Sequence, residues 1–244
     1  MSTANRGSVK TDDLDFLELG KVLRNTEGDL ELEGCLGQRF IAAGMRERYI
    51  AIHGVPGNAL GAYLDGGTVE VFGNAQDAVG DTMNAGTIIV HGNIGDTAGY
   101  AMRGGAIYVQ GNAGYRAGIH MKEYKDKLPV LVIGGRCGSF LGEYQAGGVI
   151  LVLDLDEDGP IVSNFPCTGM HGGKLFLRSE CDNILFPAQV TARLAEASDL
   201  EEIRPYVEEF CRHFDRDPAA ILDHPFTVVT PDSANPYRQM YVAN

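Results

Sequence analysis

The chain has 244 residues, with 33 acidic against 20 basic side chains and a formal net charge of −13. That balance argues against nucleic acid as a partner, which demands a basic surface, and suits a basic partner or plain solubility. Apolar residues make up 44% of the chain, enough for one continuous core, yet no apolar run approaches the ~18 residues of a membrane span.

The first residues, MSTANRGSVKTDDLDF, carry no apolar signal stretch. Five cysteines, Cys35, Cys137, Cys167, Cys181 and Cys211, are scattered without a C-x-x-C pair. Neither a disulfide framework nor a cysteine-rich metal site is expected from that pattern. Reduced thiols in a cytoplasmic protein fit best.

Residues 1–33 form a lead-in. Thr11-Asp12-Asp13-Leu14 is predicted to open a short helix through Leu19, ending near Gly20. Leu30-Glu31-Leu32-Glu33 alternates like a strand and enters the first coil. Gly34-Cys35-Leu36-Gly37 then begins a degenerate repeat, with Ile41 where a third glycine is expected. A terminal coil caps the stack and is commonly atypical.

Residues 34–180 hold the repeat. Gly54, Gly73, Gly92 and Gly111 stand 19 residues apart. Gly61, Gly80, Gly99 and Gly118 keep the same step, as do Gly67, Gly86 and Gly105. After five extra residues the three series resume together at Gly135, Gly142 and Gly148. Three series in phase mean one unit whose chain turns at the same places each time. Nineteen residues suit one coil of a single-stranded, right-handed parallel β-helix, an all-β solenoid, with a short helical tail behind it. Val69, Ile88 and Ile107 should stack as one inward ladder, and Val71, Val90 and Val109 as the next. Asn74, Asn93 and Asn112 share the step and predict an amide ladder along the stack, although an asparagine-lined ligand groove fits the same spacing.

Two segments break the period. Lys122–Lys127 falls where a third-series glycine is due, and reads either as a contact element or as a neutral insertion. Asp154–Pro160 is an acidic turn without the twelve-residue EF-hand pattern.

Residues 181–244 change character. Ser198-Asp199-Leu200-Glu201 reads as a capping box opening a helix, with Ile203, Tyr206, Val207, Phe210 and Phe214 as its apolar stripe. That stripe either docks a partner or covers the end or side of its own solenoid. Asp217 caps a second short helix with Pro218 at its first position. His224 to Tyr241 is an extended strap.

Signs of chemistry are sparse. There is no phosphate loop, no dinucleotide fingerprint, no G-x-S-x-G elbow and no H-E-x-x-H. His53 and His91 occupy equivalent positions two coils apart, roughly 9.6 Å, too far to share one zinc and better suited to a mixed ladder. His120 and His171 have no second ligand beside them. Asp65, Asp77, Asp81 and Asp96 lie at corners. A carbohydrate-active enzyme would need two such carboxylates across a groove, whereas corner aspartates commonly bond their own backbone. No catalytic, cofactor-binding or metal-ligating residue is assigned.

The pattern G-x-x-G-x-x-x-G occurs at Gly54/Gly57/Gly61, Gly92/Gly95/Gly99, Gly111/Gly114/Gly118 and Gly135/Gly138/Gly142, with Gln76 in the middle place of the Gly73–Gly80 turn. It resembles the GXGXG domain at the carboxyl end of the glutamate synthase large subunit, and a subunit of formylmethanofuran dehydrogenase. The stretch Thr168–Arg178 is similar to the final coil of the free-standing version. The tail from Leu200 through Phe226, and Pro236-Tyr237-Arg238, resemble the stand-alone glutamate synthase third-domain subunit. The resemblance implies a non-catalytic scaffold. It would hold a glutamine amidotransferase subunit against an FMN and iron–sulfur synthase subunit, with NAD(P)H or ferredoxin feeding electrons through a further subunit. This chain would bind no cofactor itself. Gln76, Ile41 and the 122–127 insertion depart from the family pattern.

Overall fold

The computed structural model describes residues 6–233. Its eleven strands are β1 (Gly7–Lys10), β2 (Leu30–Leu36), β3 (Tyr49–Val55), β4 (Asp65–Phe72), β5 (Ala85–Val90), β6 (Gly105–Val109), β7 (Pro129–Ile133), β8 (Ala146–Val152), β9 (Gly172–Leu177), β10 (Val190–Leu194) and β11 (Thr227–Pro231). Three helices join them: α1 (Phe16–Asn25), α2 (Ala197–Phe214) and α3 (Pro218–Leu222). The strands form one sheet in the order β1 to β9, then β11, then β10. The chain winds as a β-solenoid of about seven turns.

Register follows the glycine period. Tyr49 pairs with Thr68, Thr68 with Thr87 and Thr87 with Ala106, each a step of 19. Gly105 then pairs with Pro129, so the insertion lengthens one coil without shifting the ladder. Val149 pairs with Lys174, and the acidic turn lengthens a second coil in the same way. Val69, Ile88 and Ile107 align in register and are fully buried, as do Val71, Val90 and Val109. The glycine slot expected at Ile41 falls one residue later: Ala42, at φ 59°, stands in register with Gly61 and Gly80, while Ile41 aligns with the buried Leu60 and its carbonyl accepts the Gly61 N–H at 2.8 Å.

The first helix is displaced from its expected place. Thr11 donates its N–H and its hydroxyl to the Glu33 carbonyl, both at 2.9 Å, and ties the lead-in to β2. Asp15 is the cap. Its Oδ1 accepts from Leu17 and Glu18 N–H at 2.8 Å, and Glu18 accepts from the Asp15 N–H at 3.1 Å. This reciprocal box needs a glutamate three residues on, which Asp15 has and Thr11 lacks. Gly20 is internal because Leu19 and Leu23 must both reach the core, one turn apart.

The start of α2 is corrected too. It opens at Ala197, and Asp199, not Glu201, closes the N-terminus by accepting from the Glu196 N–H at 2.8 Å. Arg193 fixes that carboxylate with two bonds of 2.6 and 3.1 Å and holds it below the usual carboxylate range. Glu201 pairs with Arg204 instead. Asp217 caps α3 as expected, accepting from Ala219 N–H at 2.9 Å with Pro218 inside the first turn.

The apolar stripe of α2 covers the side of the solenoid rather than its end. Ile203, Val207, Phe210 and Phe214 pack on the outward residues Ile89, Tyr108, Val132, Leu151 and Phe176 of successive strands. The expected strap is partly a strand: β11 runs antiparallel between β9 and β10. The Pro236-Tyr237-Arg238 ending lies outside the described residues.

Candidate functional site

One corner of each coil turns twice through the left-handed region, for the most part on residues other than glycine. Phe40, Ala59, Ala78, Thr97, Arg116, Phe140 and Phe165 form one column, with φ between 57° and 64°. Tyr63, Thr82, Ala101, His120 and Tyr144 form a second. Such conformations cost an ordinary residue roughly 1–2 kcal/mol. Bonds between coils offset that strain. Arg116 N–H donates to the Ser139 carbonyl, Phe140 N–H to Asn164, His120 N–H to Glu143 and Tyr144 N–H to Thr168, all at 2.8–2.9 Å.

This geometry throws side chains outward, and over the later coils they are aromatic. The Tyr115, Phe140 and Phe165 rings follow one another at 5.2 Å centroid spacing. His120 lies stacked on Tyr144 at 5.1 Å, with the Tyr100 ring at its edge. Arg116 joins the two columns. Its guanidinium lies over Tyr115 and Phe140, and its Nε donates to Glu143 at 2.6 Å. Phe165 is 62% exposed. The result is an ordered aromatic ridge on rigid backbone, the residue chemistry favoured at protein–protein contacts.

A second polar patch lies on the outer face of β2 to β5. His53, Phe72 and His91 stack at 4.9 Å steps, the mixed ladder expected for the two histidines. His53 meets Glu31 at 2.8 Å, His91 meets Glu70 at 2.8 Å, and Tyr49 donates to Glu70. Among the described residues Glu31, Glu33 and His53 are the group placed to hold a metal ion, their ligand atoms lying within 4.8 Å. All three remain partly or largely exposed, and His53 is already paired with Glu31. Sequence reasoning compared His53 with His91 and missed the glutamates. A bulge between Glu33 and Cys35 puts β2 one residue out of the 19-residue step.

The remaining candidates serve the scaffold. Asn74 Oδ1 accepts from Asn93 N–H, Asn93 from Asn112 and Asn112 from Arg136, at 2.7–2.8 Å. The ladder therefore bonds the backbone of the next coil more than its amides. Asp77 and Asp96 act likewise, accepting from Asp96 and Tyr115 N–H at 2.9 and 2.8 Å, not from their own turns. Asp81 accepts from Thr82, and Asp65 meets Lys127 and Arg46. The 122–127 insertion folds back onto the body through Lys127 and through Glu123, which accepts the Gly148 N–H at 3.0 Å. His171 Nδ1 contacts the Gly169 carbonyl at 2.9 Å.

All five cysteines are free thiols. Burial raises Cys35 and Cys211 to about 11 and Cys167 to about 12, with Cys137 raised further. At neutral pH these are packed thiols, not nucleophiles. No helix among the described residues is long and apolar enough to cross a membrane.

A parallel solenoid with glycine corners, inter-coil side-chain ladders and an outward aromatic ridge places the chain among the parallel β-solenoid proteins. The chain belongs to the GXGXG motif family, whose model matches residues 21–232. It is 48% identical over 219 residues to the uncharacterized protein MJ1350 of Methanocaldococcus jannaschii, covering 86% of this chain and 84% of that one. Among solved structures it resembles a chain of the formyltransferase/hydrolase complex of Methylorubrum extorquens, determined with methylofuran. The TM-score is 0.58 at 18% identity, over 93% of this chain and 91% of that chain. At that identity the likeness is one of fold.

Proposed function

We propose that the protein is a structural subunit of a glutamate synthase-like complex. It holds a glutamine amidotransferase subunit against an FMN and iron–sulfur synthase subunit while glutamate forms from glutamine and 2-oxoglutarate. It contributes no catalytic side chain and no cofactor of its own. The observation that carries the reading is the exposed aromatic ridge on a backbone braced coil by coil, which suits a body that others grip. Rigidity has a catalytic purpose here, since a 1 Å misplacement of reacting parts can cost about 100-fold in rate. The resemblance of the α2–α3 tail to that of the stand-alone glutamate synthase third-domain subunit supports the choice of complex, while membership of the GXGXG family suits either reading below.

A second reading has its own support. The formyltransferase/hydrolase chain shares the fold over nearly its whole length, so the same scaffold role in a formyl-transferring complex competes directly. Purification of the full chain from its native organism at low salt distinguishes them. A co-purifying flavin–iron–sulfur subunit and glutaminase, with glutamine-dependent glutamate formation, is the expected result. Formyl-handling subunits would select the second reading. A chain recovered alone would overturn both.

A further inference from the structure

A cleft of about 800 Å³ opens where the acidic turn faces the start of the tail. Phe165, Pro160 and Leu185 form apolar walls, and Asp154, Glu180 and Asp182 supply three carboxylates. No Lys, Arg or His lines it. Asp154 sits at the floor, 9% exposed, with Oδ1 lacking any hydrogen-bond partner. Arg136 and Arg178 act on its charge without bonding it, and Arg178 Nε is itself buried and unpartnered. Arg136 meets Asp158 at 3.6 Å, while Arg178 meets Glu157 at 3.3 Å and donates to the Leu153 carbonyl at 3.2 Å.

A buried, unpartnered carboxylate is destabilising unless a positive or donating group reaches it. Burial raises the Asp154 pKa, and a cation in the cleft would reverse that shift. The rim gives the second clue. Leu185 is 89% exposed beside Phe165, and Phe165 ends the run of ring contacts that begins at Tyr115. An acidic floor inside an apolar rim matches a basic side chain on an apolar segment, because the rim excludes water from the ion pair.

We propose that this cleft receives a Lys or Arg side chain of a partner subunit, carried on an apolar segment that lies along the Tyr115–Phe140–Phe165 ridge. The inference rests on the scaffold reading and adds the surface and the chemistry of the partner.

The test uses the complex purified from the native organism, with the photo-crosslinking residue benzoylphenylalanine placed at Leu185 or, as a distant control, at Leu17. The Leu185 probe should link to a co-purifying subunit at a peptide where Lys or Arg adjoins apolar residues. Asp154→Asn and Phe165→Ser should each reduce recovery of that subunit about tenfold or more, with Asp154→Asn melting no lower than wild type, while Tyr63→Ser should not. If the complex is recovered but Leu185 gives no such link, or the two variants recover the subunit normally, the docking proposal is overturned and the scaffold reading stands. Links to residues 234–244 of the same chain, or between two copies, also overturn it. If nothing accompanies the wild-type chain, the scaffold reading fails and the docking proposal falls with it.

Discussion

Gly54 lies at φ +128°, and a Cβ there would sit 2.2 Å from the Cys35 carbonyl oxygen in the neighbouring coil. Backbone, not a movable side chain, is in the way. Gly54→Ala should therefore destabilise by about 2 kcal/mol or more. Gly44→Ala, at φ +67° with open space around it, should cost only about 1 kcal/mol of conformational strain. Denaturant melts of the pair separate crowding from strain. On the other corner, Asn93→Ala removes the acceptor for Asn112 N–H and should cost about 1 kcal/mol. The asparagine series is plain in the sequence because its period is plain. What each amide bonds is not, since a side chain at a coil corner can reach its twin or the next peptide N–H equally well. Asp77 and Asp96 show the same ambiguity resolved toward the peptide.

At the scale of elements, α2 depends on Asp199. Arg193 lowers its pKa in the folded protein, so its contribution is fully present above the ordinary carboxylate value of about 3.9. It is lost as pH falls through the lower, folded value. Asp199→Ala should cost about 1–2 kcal/mol at neutral pH. That difference should hold steady down to about pH 5 and shrink only in stronger acid, where wild type and variant converge. Phe210→Ala removes a fully buried ring from the helix–sheet contact and should cost about 3–4 kcal/mol. The helical stripe was legible because its period is local. The cap was not: Asp199 is selected by Arg193, six residues upstream in β10, and that pairing exists only once the sheet is in place.

The whole molecule presents unlike sides. One outer face is sealed by α2, the N-terminal end is filled by Leu19 and Leu23 of α1, and the double left-handed corner is left open with its aromatic ridge. The solenoid itself could be read from three glycine series in phase. The ridge could not. Phe140 and Phe165 share one corner position of successive coils, but the coils before them fill it with Ala59, Ala78, Thr97 and Arg116, and Tyr115 stands one residue ahead of it, so no aromatic period marks the ridge. Replacing Phe165, 62% exposed, by serine should leave thermal stability within about 1 kcal/mol, as expected of an exposed side chain. Loss of co-purifying subunits from that variant would place the contact on this corner.

The order β9, β11, β10 carries a consequence for synthesis. Coils from β2 to β9 pair with the strand made just before them, so each can stack as it emerges. Among the described strands β10 has only β11 as a ladder neighbour, and β11 begins 33 residues after β10 ends. At about 5–20 residues per second, β10 waits roughly 2–7 seconds on the ribosome without its neighbour. During that interval β9 also presents an unpaired edge, the kind of surface on which a second nascent chain can add a strand. Neighbouring ribosomes on one message thus carry several copies of the same open edge, and the late arrival of residues 227–231 closes each of them.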